Sequence, residues 1–111
     1  MKPLEGITVL EFSTMITASF AAMMMAEQGA KVIKVEPMNV GDPMRYIGAN
    51  KGGISSLFAN CNRGKQSIRV NLKEAAGQAL IREMVPEVDV FIHNFRPGVM
   101  DKLNLGSEAL R

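Results

Sequence analysis

The sequence has little of what several specialised folds and sites require. It has one cysteine, Cys61, in 111 residues, which excludes an internal disulfide and a cysteine-rich zinc site. It has one histidine, His93, so a histidine-based metal cluster cannot be built. No apolar run approaches the roughly 18 residues that a membrane-spanning helix needs. We therefore expect a soluble cytoplasmic protein with no resident metal and no membrane contact.

Glycine is missing where a dinucleotide site would need it. The turn after the first predicted strand, residues 13–17, contains none, whereas dinucleotide-binding proteins have G-x-G-x-x-G there. The phosphate loop G-x-x-x-x-G-K-[ST] is also absent. NAD and FAD are therefore not expected. Glu36, which ends the second strand where such enzymes bind a ribose, is then expected to be a solvated carboxylate.

What the sequence does contain is the composition of a globular domain. Hydrophobic residues make up 47% and charged residues 22% of the chain, which excludes disorder. The net charge of +2 is too small to indicate a nucleic-acid partner. Apolar periodicity predicts strands at 7–12, 31–36, 67–70 and 88–92, and helices at 17–28, 74–85 and 100–105. A turn of helix is expected near 55–59, within a long glycine-rich connection.

The alternation of strands and helices predicts the fold class. A strand, a helix and a strand within about thirty residues form a βαβ unit with parallel strands and a right-handed crossover. We predict one α/β domain over residues 1–111, with a Rossmann-like parallel sheet, flanking helices and no dinucleotide glycine fingerprint. Ser107 is a plausible N-cap for a final helix of about one turn, which has no room for a packing partner. We therefore expect an incomplete N-terminal part of a larger domain.

Two sets of apolar residues are predicted to be buried. Leu72, Ala76, Leu80 and Met84 recur at four-residue steps and predict the buried stripe of the third helix. The methionines clustered at residues 23–25 are most simply core residues of the first helix.

The acidic residues and the cysteine give no clear catalytic centre. Asp42, Asp89 and Asp101 lie in turns or at a strand start, and a structural role is the simplest interpretation of each. A pair of Cys61 with His93 is possible on residue types alone, but nothing in the spacing selects it.

Positive charge is concentrated in residues 62–73, NRGKQSIRVNLK, which contain four basic residues and no acid. One interpretation is a solvated loop and strand edge. The other is a phosphate-binding cradle, since arginine and lysine suit anionic oxygens. RNA binding is disfavoured because the stretch has no interleaved aromatic residues.

The segment after the last predicted strand indicates a ligand. Asn94, Phe95 and Arg96 precede Pro97-Gly98 and should lie at the carboxyl edge of the sheet. Asparagine offers an amide, phenylalanine a flat apolar face for a base, and arginine a fork for phosphate. These three properties together fit a nucleotide-bearing ligand, whereas Pro-Gly alone would only make the turn sharp.

Four motifs in order give the sequence a family resemblance: PLEGITVLEFS, GAKVIKVEP with GDPMR, NRGKQSIRVNLK, and NFRPGVMDKLNLG. The chain resembles the N-terminal region of the family III CoA-transferases. This group includes formyl-CoA, carnitine and bile-acid CoA-transferases and the related α-methylacyl-CoA racemases. The last two motifs are the most specific to the family.

The resemblance implies coenzyme A as the ligand and acyl-CoA with a carboxylic acid as substrates. It assigns CoA contacts to Asn71, Leu72, Lys73, Asn94, Phe95, Arg96 and Lys102. The implied chemistry is CoA transfer through an acyl-aspartyl anhydride and an aspartyl-CoA thioester. The nucleophilic aspartate would lie beyond residue 111, so the chain alone should be inactive, and relatives form intertwined homodimers.

The sequence departs from the family pattern at several positions. Ala18-Ser19 replaces a common Gly-Pro pair, His93 replaces a usual glutamate, and Pro37 stands where some members have an arginine over the adenine. A racemase remains an alternative to a transferase. A stand-alone CoA- or nucleotide-binding module without catalysis remains a second alternative.

Overall fold

The computed structural model describes residues 2–12, 17–38, 41–42, 45, 50–51, 54–103 and 105–106. The strands among these residues are β1 (Thr8–Phe12), β2 (Lys31–Glu36), β3 (Asn50–Lys51), β4 (Ile54–Ser55), β5 (Gln66–Arg69) and β6 (Val90–His93). The helices are α1 (Thr17–Glu27), α2 (Ser56–Asn62), α3 (Ala75–Met84) and α4 (Val99–Lys102), and a 3₁₀ turn spans Val85–Glu87.

The main sheet is parallel, with the strand order β5-β2-β1-β6. Val9 of β1 is opposite Val32 of β2 on one side and Val90 of β6 on the other. Strands β3 and β4 form a separate antiparallel pair. The predicted α/β fold with a parallel sheet and flanking helices is thus confirmed.

The element bounds agree with the sequence prediction to within one or two residues in most places. β6 begins at Val90, two residues later than predicted, because the backbone amide of Val88 bonds to the carbonyl of Val85 and closes the 3₁₀ turn. α1 ends at Glu27, one residue earlier than predicted, and Gly29 after it has φ +104°, the left-handed conformation that glycine tolerates best. α2 is seven residues long and so exceeds the predicted single turn.

Each face of the sheet carries its own apolar cluster. Val9 and Val32 pack against Ala22 of α1 on one face. Leu10 and Phe12 pack against Ile81 of α3 on the other. We call these the α1 face and the α3 face; because side chains alternate along a strand, neighbouring positions of β1 contribute to both.

The predicted stripe on α3 is wrong in part. Leu80 is 46% exposed and Ala76 is exposed, whereas Gln78 and Ile81 are the buried residues of the helix. Leu72 and Met84, at the two ends of the stripe, do pack against the α3-face cluster. Four-residue steps exceed a helical turn by about 40°, so the row runs obliquely around the helix and Ala76 and Leu80 lie off its buried side.

The methionine cluster on α1 was also predicted to be core, and this is wrong for one member. Met23 is 3% exposed but Met24 is 52% exposed, because successive residues of a helix point in different directions.

No helix among the described residues is long and apolar enough to cross a membrane. α4 covers Val99–Lys102 and is shorter than the predicted helix at 100–105. Residues 13–16 of the predicted turn at 13–17, and the predicted final helix at 107–111, lie outside the described residues, while residue 17 opens α1.

Candidate functional site

The carboxyl edge of the sheet brings the predicted ligand segments to one side of the molecule. All four strands of the main sheet are parallel, so Phe12, Glu36, Arg69 and His93 end them at the same edge. The segments 71–73 and 94–96 follow the two outermost strands, β5 and β6. Three strand spacings separate these strands, or about 14 Å. This geometry suits an extended ligand along the edge better than a single small ion.

The first segment, residues 71–73, is held by local hydrogen bonds. The side-chain oxygen of Asn71 accepts the backbone amide of Lys73 at 3.1 Å. The side-chain amide of Gln78 donates to the carbonyl of Leu72 at 2.9 Å, which ties the segment to α3. Leu72 is partly buried, while Lys73 is exposed at the edge. The segment therefore presents a cation on a fixed backbone.

The second segment, residues 94–96, has a similar arrangement. The Nδ1 atom of His93 accepts the backbone amide of Phe95 at 3.2 Å. The carbonyl of Arg96 accepts the backbone amide of Val99 at 3.1 Å, which joins the segment to α4. Phe95 is partly buried, while Asn94 and Arg96 are exposed.

The two segments are anchored to one core. Leu72 and Phe95 both pack against the α3-face cluster that contains Phe12 and Ile81. Met100 of α4 belongs to the same cluster, and Lys102 lies exposed on that helix. The seven predicted CoA-contact residues are therefore carried by elements that meet at one edge and on one face, with three of their cationic side chains exposed.

Glu36 does not have the solvated position predicted for it. Its side chain is buried, and it accepts the Arg45 guanidinium at 2.8 and 2.7 Å, the Asp42 amide at 2.7 Å and the Ser67 hydroxyl. Burial alone would raise the pKa of Glu36, but these hydrogen bonds, from Arg45 above all, lower it to about 2. Both oxygens are engaged by the protein, so Glu36 serves to hold the segment after β2 and not to bind a ribose.

A second group of buried charges lies on the α1 face, and we call it the buried ion cluster: Glu11, Lys34, Asp42 and Lys65. Lys34 Nζ lies 2.8 Å from Glu11 Oε2 and 2.9 Å from Asp42 Oδ2. Lys65 Nζ lies 2.6 Å from Glu11 Oε1. All four side chains are at most 2% exposed. Each buried charge thus faces an opposite one, which is the condition for keeping it out of water.

Polar atoms of the surrounding helices complete this cluster. Ser19 of α1 donates its hydroxyl to Glu11 and accepts from Lys34, and its backbone carbonyl accepts Lys65 at 2.8 Å. Asn62 accepts a further bond from Lys65 at 2.7 Å. Burial lowers the pKa of Lys65, while the contact with Glu11 opposes that shift.

The structure does not assemble the basic stretch 62–73 into a phosphate cradle. Lys65 is buried in the ion cluster, and Arg63 pairs with Glu27 at 2.6 Å. Arg69 donates to the carbonyl of Met38. Of the four basic residues in this stretch, Lys73 is the one that belongs to the candidate ligand site.

The buried ion cluster was missed at the sequence level, although the sequence carries a signal for it. Glu11 and Lys34 are inward-facing residues of two predicted buried strands, where parallel sheets normally have apolar residues. They are also opposite each other in the sheet register. A charge in each of two adjacent buried strands, with opposite signs, could have predicted the pair.

The remaining candidates have structural positions. Cys61 is buried on α2, which packs against α1, whereas His93 lies on the α3 face with Phe91 and Phe95. The sheet separates them, so they form no dyad. Asp89 accepts the backbone amide of Thr8 at 2.9 Å and joins the starts of β6 and β1.

Solved structures share this fold over nearly the whole chain. A CaiB/BaiF family protein from Brucella suis superposes with a TM-score of 0.89 at 36% identity, covering 98% of this chain and 30% of its own. A hypothetical protein from Mycobacterium tuberculosis superposes with a TM-score of 0.91 at 35% identity, covering 100% and 30%.

Sequence relatives are CoA-transferases. Succinyl-CoA–D-citramalate CoA-transferase of Chloroflexus aurantiacus is 40% identical over 110 residues, which are 98% of this chain and 27% of the relative. Human succinyl-CoA:glutarate CoA-transferase is 38% identical over 111 residues, covering 99% and 25%. The chain thus spans about a quarter of the length of these relatives. Residues 4–111 match the sequence profile of CoA-transferase family III, and the chain belongs to that family.

Proposed function

We propose that this chain supplies part of the CoA-binding surface of an acyl-CoA transferase. The enzyme would move CoA from an acyl-CoA donor to a carboxylic acid acceptor. The nucleotide end of CoA would lie along the carboxyl edge, on the α3 face, and would span the seven residues predicted from the sequence. These are Asn71, Leu72, Lys73, Asn94, Phe95, Arg96 and Lys102.

The observation that supports this proposal is the packing of Leu72 and Phe95 against one buried cluster. A shared core fixes two segments that are distant in sequence, so their exposed groups can bind one ligand without being ordered first. Phe95 offers a flat apolar face for an adenine, and Lys73 and Arg96 offer charge-assisted hydrogen bonds to phosphate.

The bond-making step is assigned outside this chain. Asp42 is buried against Lys34, and Asp89 is bonded to the backbone of β1, so neither is placed to attack a thioester. The nucleophilic aspartate is proposed to lie beyond residue 111. If so, the 111 residues alone bind CoA but do not catalyse CoA transfer.

Calorimetric titration with CoA tests the binding surface. Lys73→Ala and Arg96→Ala should each weaken CoA binding by about tenfold, since each removes a hydrogen bond from a charged donor. Lys31→Ala is the matched control, because Lys31 is exposed at the opposite edge of the sheet. Equal effects of all three changes would contradict the site, and absence of CoA binding by folded protein would contradict the function.

Product analysis of the intact protein separates the candidate activities. A transferase converts an acyl-CoA and a free acid into a new acyl-CoA and the free acid of the donor. A racemase instead exchanges the α-proton of a 2-methylacyl-CoA and forms no new thioester. A binding module does neither. We further propose that the intact protein is an intertwined homodimer and that it is located in the cytoplasm. Sedimentation of the intact protein tests whether it is a dimer.

A further inference from the structure

The residue that precedes the second ligand segment is in direct contact with it. His93 ends β6, and its ring lies in a row with three phenylalanines on the α3 face. The ring centroids are 4.7 Å apart for Phe12 and Phe91, 6.5 Å for Phe91 and His93, and 5.9 Å for His93 and Phe95. This row leads from the buried core to the exposed carboxyl edge.

The hydrogen bond within this row fixes the backbone of Phe95. His93 Nδ1 accepts the Phe95 amide at 3.2 Å, and in this contact Nδ1 is the acceptor and carries no proton. Nδ1 is attached to Cγ, as is the side-chain oxygen of asparagine. The contact is therefore the histidine equivalent of an Asx turn, in which a side chain accepts the amide two residues later.

The other ligand segment contains the same contact. Asn71 Oδ1 accepts the amide of Lys73, also two residues later, at 3.1 Å. In each case the acceptor follows or ends an outer strand, and the donor belongs to a residue predicted to bind CoA. The same type of side-chain-to-backbone hydrogen bond thus preorganises both segments. The acceptor is an amide oxygen in the first segment and an imidazole nitrogen in the second.

From this parallel we propose that His93 is a positioning residue for the nucleotide site. It acts through Phe95 and does not touch the ligand: its Nδ1 atom holds the Phe95 backbone so that the ring presents its face at the carboxyl edge. The inference rests on the proposed CoA function. It adds a residue that the family resemblance did not assign to CoA.

A matched pair of variants separates the hydrogen bond from the ring. His93→Phe keeps an aromatic ring but has no acceptor, whereas His93→Asn keeps an acceptor on the same γ position but has no ring. In the intact protein, His93→Phe should weaken CoA binding about three- to tenfold, the range for one lost hydrogen bond, and His93→Asn should stay within about twofold of the parent. The KM for acyl-CoA should rise with kcat unchanged, because the nucleotide is remote from the reacting thioester.

Backbone amide exchange measured by NMR gives an independent reading. The Phe95 amide should exchange faster in His93→Phe and in His93→Ala than in the parent and in His93→Asn. If all variants bind CoA as the parent does, the positioning role of His93 is wrong while the proposed function stands. If the folded parent does not bind CoA, the proposed function itself is wrong.

Discussion

Lys34 Nζ lies 2.8 Å from Glu11 Oε2, and the two side chains, opposite each other on adjacent parallel strands, are at most 1% exposed. Lys34 also reaches Asp42, so one buried cation lies between two carboxylates. Removing one member of such a group leaves an uncompensated charge in the protein interior. The stability of this domain should therefore depend on the integrity of the buried ion cluster.

Lys34→Met should lower the free energy of unfolding by about 3–5 kcal/mol, because the buried carboxylates of Glu11 and Asp42 would both lose the cation that lies between them. Adding Glu11→Gln should recover part of that loss. Urea denaturation measures both. Arg63→Ala is the control, since the Arg63–Glu27 pair is about half exposed and should contribute about 1 kcal/mol or less. A Lys34→Met effect no larger than the control would contradict a stabilising cluster.

The pKa of Glu36 predicts how stability varies with pH. That pKa is about 2 in the folded protein against 4.5 for an unperturbed glutamate. The stabilisation from Glu36 is thus fully present above about pH 4.5 and is lost as pH falls toward 2, with a total of about 3 kcal/mol. Glu36→Gln should remove that part of the pH dependence in urea denaturation at pH 7 and pH 3. An unchanged pH dependence in Glu36→Gln would show that other groups control acid unfolding.

Gly77 is expected to resist a change that normally stabilises helices. Alanine in a helix gains about 1 kcal/mol over glycine, but a Cβ at residue 77 would overlap the backbone oxygen of Asn71. Steric repulsion should win, so Gly77→Ala should destabilise the domain by about 1–3 kcal/mol and weaken CoA binding by displacing Asn71. Ala79→Gly, at an exposed position of the same helix, measures the propensity effect alone. A stabilised Gly77→Ala would mean that the 71–73 segment moves freely.

Asp89 should be replaceable by asparagine but not by alanine. Its carboxylate accepts the Thr8 amide, and asparagine retains an oxygen at that position. Asp89→Ala should cost about 1 kcal/mol in thermal or urea unfolding, and Asp89→Asn should cost clearly less. Equal losses in the two variants would indicate that the negative charge, not the hydrogen bond, is what matters.

Much of the fold follows from the order of residues along the chain. The run TVLEF, the small residues of α1, Gly29 and the run KVIKVE predict a βαβ unit because periodicity and glycine conformations are local properties. The order of the motifs and the segment after β6 likewise indicate the family from the sequence alone. Conformations that depend on residues adjacent in the chain can be predicted from a single sequence.

Other features were decided by the tertiary structure alone. Glu36 looks like a solvated strand end until Arg45, Asp42 and Ser67 are folded around it, and Lys65 looks like part of a basic surface until Glu11 is beside it. The side of α3 that faces the sheet was likewise set by how the helix packs and not by its four-residue repeats. Burial and charge pairing join residues that are far apart in sequence, so no local pattern fixes them.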